Sequence, residues 1–394
     1  MRTSAVICEF NPLHRGHMHI LSEMRKNADC VIAIMSGNFV QRAIPAVLDK
    51  YERAQVAILA GADLVLELPF PWCSASAEYF AKAGTAIAEN IGAETLIFGI
   101  GAGDFTKISQ AAEAFSDPFV QEEINKLTTG EDISQGIASI RERCLKSRFG
   151  GDFTNVLRSP NDILAIEYLL QIRRNGYRLK PQTVARLTVD TDPNFKSATV
   201  IREMLHDGCF SDIERSVPPF VMEILTRAAN ERFLAEQGML TDIAFRAIRT
   251  DLSPFATEIA EGEGGLFRRI HSAAQKATSP DEMLTLSATK KYTNARIRRV
   301  LLYYLTKITP GILRETPQVT TVLAANEIGC AYLSSVRKTT PLTILTKPAA
   351  HRDLPLDLKA QYMHTINADR LYTLCVPCGR EADYFLKQSP RIVK

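Results

Sequence analysis

The chain lacks long apolar runs. Nowhere in its 394 residues do about 18 uncharged hydrophobic positions follow one another, which excludes an ordinary membrane-spanning helix. It also lacks a strong charge of either sign: 47 Lys and Arg stand against 44 Asp and Glu, a formal +3, so net charge by itself says nothing about a nucleic-acid partner. There is one tryptophan, and the eight cysteines are scattered at 8, 30, 73, 144, 209, 330, 375 and 378. Disulfide scaffolds are short and cysteine-dense, so this usage is that of a reducing compartment. Cys375 and Cys378 form a CxxC pair, but the histidines supply no second pair of ligands at suitable spacing, which argues against structural zinc. Internal repeats and low-complexity tracts are missing. The N-terminal stretch runs from one arginine straight into a strand-like segment and not into a signal peptide, so the expectation is a soluble, cytoplasmic protein without membrane attachment.

What is present is a globular mixture, 46% hydrophobic and 23% charged. The length suits two or three domains, because single cores stop growing at roughly 250–300 residues. Thr3–Cys8, Cys30–Met35, Leu64–Leu68 and Thr95–Gly99 are short apolar runs, while Gly16–Lys26, Ala46–Ala60 and Ser76–Ile91 between them carry apolar residues at helical spacing. That alternation predicts an α/β fold with a parallel sheet covered on both faces, which binds ligands at the carboxyl ends of its strands. A helical insertion is expected over about 104–158, then a helix at Pro160–Arg174 and a strand at Gln182–Val189. The expected division is 1–207 as the α/β domain, 208–308 as a helical domain, and 309–394 as a small C-terminal α+β region.

Chemistry concentrates after the first strand, in Glu9-Phe10-Asn11-Pro12-Leu13-His14-Arg15-Gly16-His17. Three of the seven histidines, 14, 17 and 19, fall in this turn and its helix. Glycine at 16 lets a phosphate approach the backbone, and a helix N-terminus supplies N–H groups and partial positive charge. His14 and His17, three apart, can share one side of the first turn and donate ring N–H groups to phosphate oxygens. The plainer reading is that one imidazole caps the helix and the other packs on the sheet. A second signal, Ser197-Ala198-Thr199-Val200-Ile201-Arg202, opens another helix with a capping serine, a further hydroxyl and an arginine fork able to hold phosphate. Farther on, Met283–Arg314 contains Lys290, Lys291, Arg296, Arg298, Arg299, Lys307 and Arg314 with no acidic residue. With Val300, Leu301, Tyr304 and Leu305 as a buried stripe, these cations would face outward, either toward an RNA backbone or only toward solvent.

HxGH followed by SxTxxR resembles the HIGH-type nucleotidyltransferase superfamily. Met35-Ser36-Gly37-Asn38-Phe39-Val40-Gln41-Arg42, Asp63-Leu64-Val65-Leu66-Glu67-Leu68-Pro69, Ser159-Pro160-Asn161-Asp162-Ile163-Leu164, Asn326-Glu327-Ile328-Gly329 and Thr346-Lys347-Pro348-Ala349 narrow the resemblance. Together they are similar to the bacterial tRNA(Met) cytidine acetate ligase family. The resemblance implies a Rossmann-like HIGH nucleotidyltransferase domain followed by a mainly helical RNA-binding region. It implies that ATP and acetate give acetyl-adenylate and pyrophosphate, and that the acetyl group passes to N4 of the wobble cytidine of elongator tRNA(Met).

Carried over, the ATP-binding residues would be Ile7-Cys8-Glu9-Phe10-Asn11-Pro12-Leu13-His14-Arg15-Gly16-His17-Met18-His19-Ile20, Gly99, Asn161, Arg186, Ser197, Thr199 and Arg202, with His14 and His17 catalytic. Lys290, Lys291, Arg296, Arg298 and Arg299 would bind tRNA, and Mg2+ would accompany the terminal phosphates, its ligands unassigned. Gly99-x-Gly101-x-Gly103 follows the fourth strand without GxGxxG spacing and reads as a flexible turn beside adenine or ribose. The chain departs from the family pattern twice: Ala43-Ile44 stands where Gly-Glu is usual, and Ile100-Gly101 follows Gly99 where Ser-Glu is expected. A small-molecule adenylyltransferase of the same superfamily, acting without RNA, is the competing reading.

Overall fold

The computed structural model describes residues 1–101, 104–122, 137–185, 196–255 and 257–393. Its centre is a sheet begun by β1 (Thr3–Cys8) and β2 (Cys30–Ser36), whose β-branched and aliphatic residues are buried on both faces, as a strand covered by helices on each side requires. A short hairpin, β3 (Phe39–Val40) and β4 (Ile44–Pro45), follows β2. Then come β5 (Leu64–Leu68), β6 (Thr95–Ile100) and β7 (Lys180–Ala185), and the order β5-β2-β1-β6-β7 is parallel throughout. Winding runs outward from β1 to β2 and β5, then reverses to β6 and β7. The reversal opens a crevice between the carboxyl ends of β1 and β6. The strand expected at Gln182–Val189 begins earlier, at Lys180, and its positions from 186 on lie outside the described residues.

Helices α1 (Arg15–Asn27), α2 (Lys50–Leu59) and α3 (Ala77–Asn90) connect these strands. Helix α2 starts four residues later than its apolar pattern suggests. Asp49 caps it, accepting from the amides of Tyr51 and Glu52 at 2.9 and 3.0 Å, while Val47 is drawn aside by the Asn11 side chain at 2.8 Å. The insertion supplies α4 (Phe105–Ser116) and α5 (Ile137–Phe149), and α6 (Pro160–Asn175) ends at Gly176 in the left-handed conformation. After α7 (Ala198–His206), helices α8 (Pro219–Asn230), α9 (Gln237–Thr250), α10 (Leu266–Lys276), α11 (Pro280–Ser287) and α12 (Asn294–Thr306) follow, with no strand among the described residues of 208–308. No helix of the described residues is long and apolar enough to cross a membrane.

The last segment holds α13 (Pro310–Arg314), β8 (Val319–Ala325), α14 (Glu327–Val336), β9 (Thr343–Leu345), α15 (Leu356–Thr373) and β10 (Arg391–Ile392). Its strands do not form a sheet of their own: β8 pairs antiparallel with β5, and β9 and β10 pair parallel with β8. The expected parallel sheet is present, and its open edge at β5 is covered by an antiparallel strand from the far end of the chain.

Two of the quoted motifs make this junction. The Asp63 carboxylate accepts from the Val31 amide at 2.7 Å, from Arg25 at 2.5 Å and from Asn326 Nδ2 at 2.8 Å, and the Asn326 amide donates to the Asp63 carbonyl at 3.0 Å. A Cβ at Gly329 would lie 1.9 Å from that same carbonyl oxygen. Glycine is therefore required for α14 to sit on β5. Gly329→Ala should destabilise the protein by about 1–3 kcal/mol or more through forced backbone displacement, read as a lower unfolding midpoint; an unchanged midpoint would show that α14 can slide away without loss.

Candidate active site

A cleft of about 260 Å³ lies at the carboxyl ends of β1 and β6, where the reversal of winding places it. Of the residues carried over for ATP, Ile7, Cys8, Glu9, Phe10, His14, Gly16, His17, Ile20, Gly99 and Asn161 line it. Asn11, Pro12 and Leu13 are buried without lining it. Arg15, Met18, His19, Ser197, Thr199 and Arg202 are outside the lining, and Arg186 falls outside the described residues. Val6, Leu21, Gln41, Arg42, Phe80, Phe98, Pro160, Leu164 and Tyr168 complete the walls and were missing from the sequence assignment. Arg42 had a signal, as the last residue of the Met35–Arg42 motif. The aromatic and aliphatic walls had none, because they come from helices and strands whose apolar residues look like core.

In the HxGH turn both imidazoles take part in capping the helix. Phe10 takes a positive φ of 46°, turning the chain out of β1, and His14 becomes the cap of α1. Its Nδ1 accepts from the Gly16 amide at 3.1 Å, and His17 Nδ1 accepts from the His14 amide at 3.2 Å, a reciprocal capping box made of imidazoles. A nitrogen that accepts carries no proton, so this network assigns the proton of each neutral ring to Nε2. The rings stack with centroids 3.8 Å apart, and Phe10 meets His17 edge-on at 5.1 Å. Capping thus selects the tautomer that donates from Nε2.

The second motif meets the first directly. Ser197 caps α7, accepting from the Val200 amide at 3.4 Å. Arg202 donates to the Asn11 carbonyl at 2.6 Å and to the Thr199 hydroxyl at 3.2 Å, and Arg42 donates to that same hydroxyl at 3.4 Å. Neither guanidinium has a carboxylate hydrogen-bond partner among the described residues. The acidic residue in the cleft wall is Glu9, which accepts from the Gln41 amide at 2.9 Å. Burial pushes its pKa up, against that hydrogen bond and the charges of Arg202, Arg53 and Arg42. Burial likewise lowers the pKa of Arg202, with Arg42 adding to the effect and Glu9 opposing it. Cations outnumber the anion, so an anionic ligand would relieve the site.

Gly101 is not the free turn its spacing suggested. Its amide donates to Asp162 Oδ1 at 2.6 Å, and a Cβ there would lie 2.5 Å from Ser159 Oγ. Glycine allows the N-terminus of α6 to press against the end of β6, which brings Pro160 and Asn161 into the cleft wall.

The basic segment is also less open than its sequence implied. Lys290 is exposed and Lys291 half-buried, but Arg299 pairs with Glu261 at 2.7 Å with both side chains only 13% exposed. Arg296 donates to the Glu261 carbonyl at 3.1 Å and lies 3.8 Å from Glu263. The acids missing from Met283–Arg314 arrive from the preceding loop. Arg298 is half-buried, its pKa lowered by burial and then by the charge of Arg42, so α12 reaches the neighbourhood of the cleft. No group of three or more His, Cys, Asp or Glu able to hold a metal is present among the described residues.

Residues 1–384 match the family model described as HIGH Nucleotidyl Transferase. The chain is 31% identical to the tRNA(Met) cytidine acetate ligase of Caldanaerobacter subterraneus subsp. tengcongensis over 95% of each protein, and 33% identical to that of Clostridium tetani over 98% of this chain and 99% of the relative. It belongs to the tRNA(Met) cytidine acetate ligase family. Its fold matches a crystal structure of Thermotoga maritima TmcAL bound with alpha-thio ATP, with a TM-score of 0.90 and 26% identity over 100% of this chain and 99% of that one. An apo form of the Thermotoga protein matches with a TM-score of 0.91.

The departure at 43–44 from the pattern of the tRNA(Met) cytidine acetate ligase family now has a geometry. Ala43 holds the left-handed φ of 53° that glycine adopts freely, its amide bonded to the Val40 carbonyl at 2.7 Å, and Ile44 is buried where that pattern has a carboxylate. The turn survives its glycine at a cost in backbone strain. Ala43→Gly should therefore raise stability by about 0.5–1 kcal/mol in thermal unfolding; a fall would mean that the alanine methyl contributes more by packing than it costs by strain.

Proposed function

We propose that the protein activates acetate with ATP and transfers the acetyl group to N4 of the wobble cytidine of elongator tRNA(Met). The observation that carries this reading is the hydrogen bond from Arg202 to the Asn11 carbonyl, which docks the SxTxxR helix on the HxGH turn that lines the cleft. In the first step an acetate oxygen attacks the α-phosphorus of ATP and the bond to the β-phosphate oxygen breaks, leaving acetyl-adenylate and pyrophosphate. Attack brings two anions together, so charge must be offset where it gathers. His14 and His17 would donate from Nε2 to phosphate oxygens, and Arg202 and Arg42 would hold those beyond. In the second step the cytidine N4 attacks the acetyl carbonyl, AMP leaves and N4 loses a proton. An exocyclic amine conjugated to a pyrimidine is a poor nucleophile, which is why the acyl donor must be a mixed anhydride.

The cleft wall offers a lone carboxylate, Glu9, and no converging donor set, so magnesium would enter held chiefly by the nucleotide's own phosphates. The proposed catalytic unit is 1–207 together with the strands that 319–392 add to its sheet. The helical residues 208–308 would receive the RNA, and the place of action would be the cytoplasm.

His17→Ala removes one Nε2 donor and one capping acceptor. Acetate-dependent exchange of pyrophosphate into ATP should fall by about 10²-fold or more, while affinity for unmodified tRNA(Met) stays near that of wild type. Retained exchange would remove His17 from the chemistry. Wild-type protein that adenylylates a small metabolite and leaves tRNA unacetylated would reject the RNA substrate itself.

A further inference from the structure

Resting on the reading that the substrate is RNA, we infer that Phe255 is a stacking platform for one of its unpaired nucleobases. The arginines of the expected basic stripe are partly consumed: Glu261 holds Arg299 in an ion pair, and its carbonyl holds Arg296. Arg268 and Lys307 lie elsewhere in the helical region, near the loop after α9, which itself carries Asp251, Glu258, Glu261 and Glu263. There the Phe255 ring is 51% exposed. The Arg268 guanidinium lies 5.8 Å from its centroid, and the His271 ring lies 5.1 Å away. Phe267 supports it edge-on at 5.7 Å, which holds the exposed ring in place before any ligand arrives.

Charges of both signs lie near this ring. Phe267 packs on Tyr304 at 5.2 Å, and Lys307 Nζ sits 4.5 Å above the tyrosine. The neighbouring carboxylate, Asp251, is already engaged by the Tyr304 hydroxyl and the Ser253 amide. Arg268 and Lys307 make no ion pair or side-chain hydrogen bond among the described residues. An exposed ring beside an unpaired guanidinium and an imidazole fits a ligand that combines negative charge with a free π-face. Single-stranded RNA has both, and an anticodon loop presents its bases unpaired. A protein partner would offer carboxylates but no reason for the ring to stay wet.

The test uses the full chain with an unmodified elongator tRNA(Met) transcript. Phe255→Leu keeps the apolar bulk and removes the π-face, and it should weaken tRNA binding by about tenfold while leaving acetate-dependent pyrophosphate exchange within about twofold of wild type. Phe255→Trp should restore the affinity, and its indole emission should be quenched by the transcript. The native Trp72 is fully buried and contributes only a constant background. Wild-type affinity in Phe255→Leu, an unquenched indole, or equal quenching by a fully paired RNA duplex would each overturn the platform. Should Phe255→Leu fail to fold, the indole signal decides alone. Wild-type protein that exchanges pyrophosphate but leaves the transcript unacetylated would instead overturn the assignment of RNA as substrate, so the two failures are separable.

Discussion

A guanidinium buried without a carboxylate hydrogen-bond partner holds the carboxyl edge of the sheet together. Arg53 is 1% exposed and donates only to carbonyl oxygens: those of Glu9 at 2.7 Å, Ser36 at 3.0 Å, Leu48 at 3.0 Å and Gly37. These acceptors belong to the end of β1, the end of β2 and the approach to α2. Both strands stop there, and their last carbonyls would otherwise be buried unpaired, each at a cost of about 1–3 kcal/mol. The HxGH turn begins one residue beyond Glu9, so its departure point from the sheet is fixed by this cation. Burial lowers the Arg53 pKa, and Tyr372, Asp49 and Glu9 oppose that shift, so the site keeps a positive charge beneath the cleft floor.

On that base the cleft is arranged before any nucleotide arrives. A capping box is normally a stability device made by Ser and Glu. Here imidazoles make it, and the same two hydrogen bonds that satisfy helix amides also leave both rings protonated at Nε2. Local folding and proton placement are thereby a single event. The like charges of Arg42 and Arg202 meet at one threonine hydroxyl with Glu9 as partial compensation, an arrangement that an anionic ligand would relieve. Such preorganisation concentrates binding energy where charge develops.

The parts of this design legible in the sequence are those whose cause is local. Periodicity marked β1, β2, β5 and β6, and HxGH and SxTxxR marked two helix N-termini, because each depends on residues a few positions apart. What was not legible depends on partners far along the chain. Nothing near Val319 announces that β8 will run antiparallel to β5, since the driving force is an edge completed some 250 residues earlier. Arg299 looked solvent-facing because Glu261 lies 38 positions before it. Gly101 looked like a flexible turn because the steric demand comes from Ser159. Arg42 stood in a recognised motif, yet only the fold shows that its guanidinium shares Thr199 with Arg202.

The C-terminal segment then has a stake in the chemistry without contributing to the cleft wall. Lys50 is fully buried, with Nζ 2.7 Å from both Glu67 and Asp369. Burial opposes its charge, but the two carboxylates hold the ammonium protonated well past its ordinary range. Replacing such a group by apolar residues often costs little stability, so its value lies more in specifying an arrangement than in strengthening it. What it specifies is visible in Asn38. That side chain accepts from the Lys50 amide at 2.8 Å and donates to Asp369 at 2.8 Å, immediately before the β3–β4 hairpin that carries Gln41 and Arg42. A helix more than 300 residues away thus anchors the base of the hairpin that presents the Arg42 guanidinium to the cleft. Completion of the sheet edge by β8 brings α15 to that position, which makes the last strands of the chain part of how the first turn does its work.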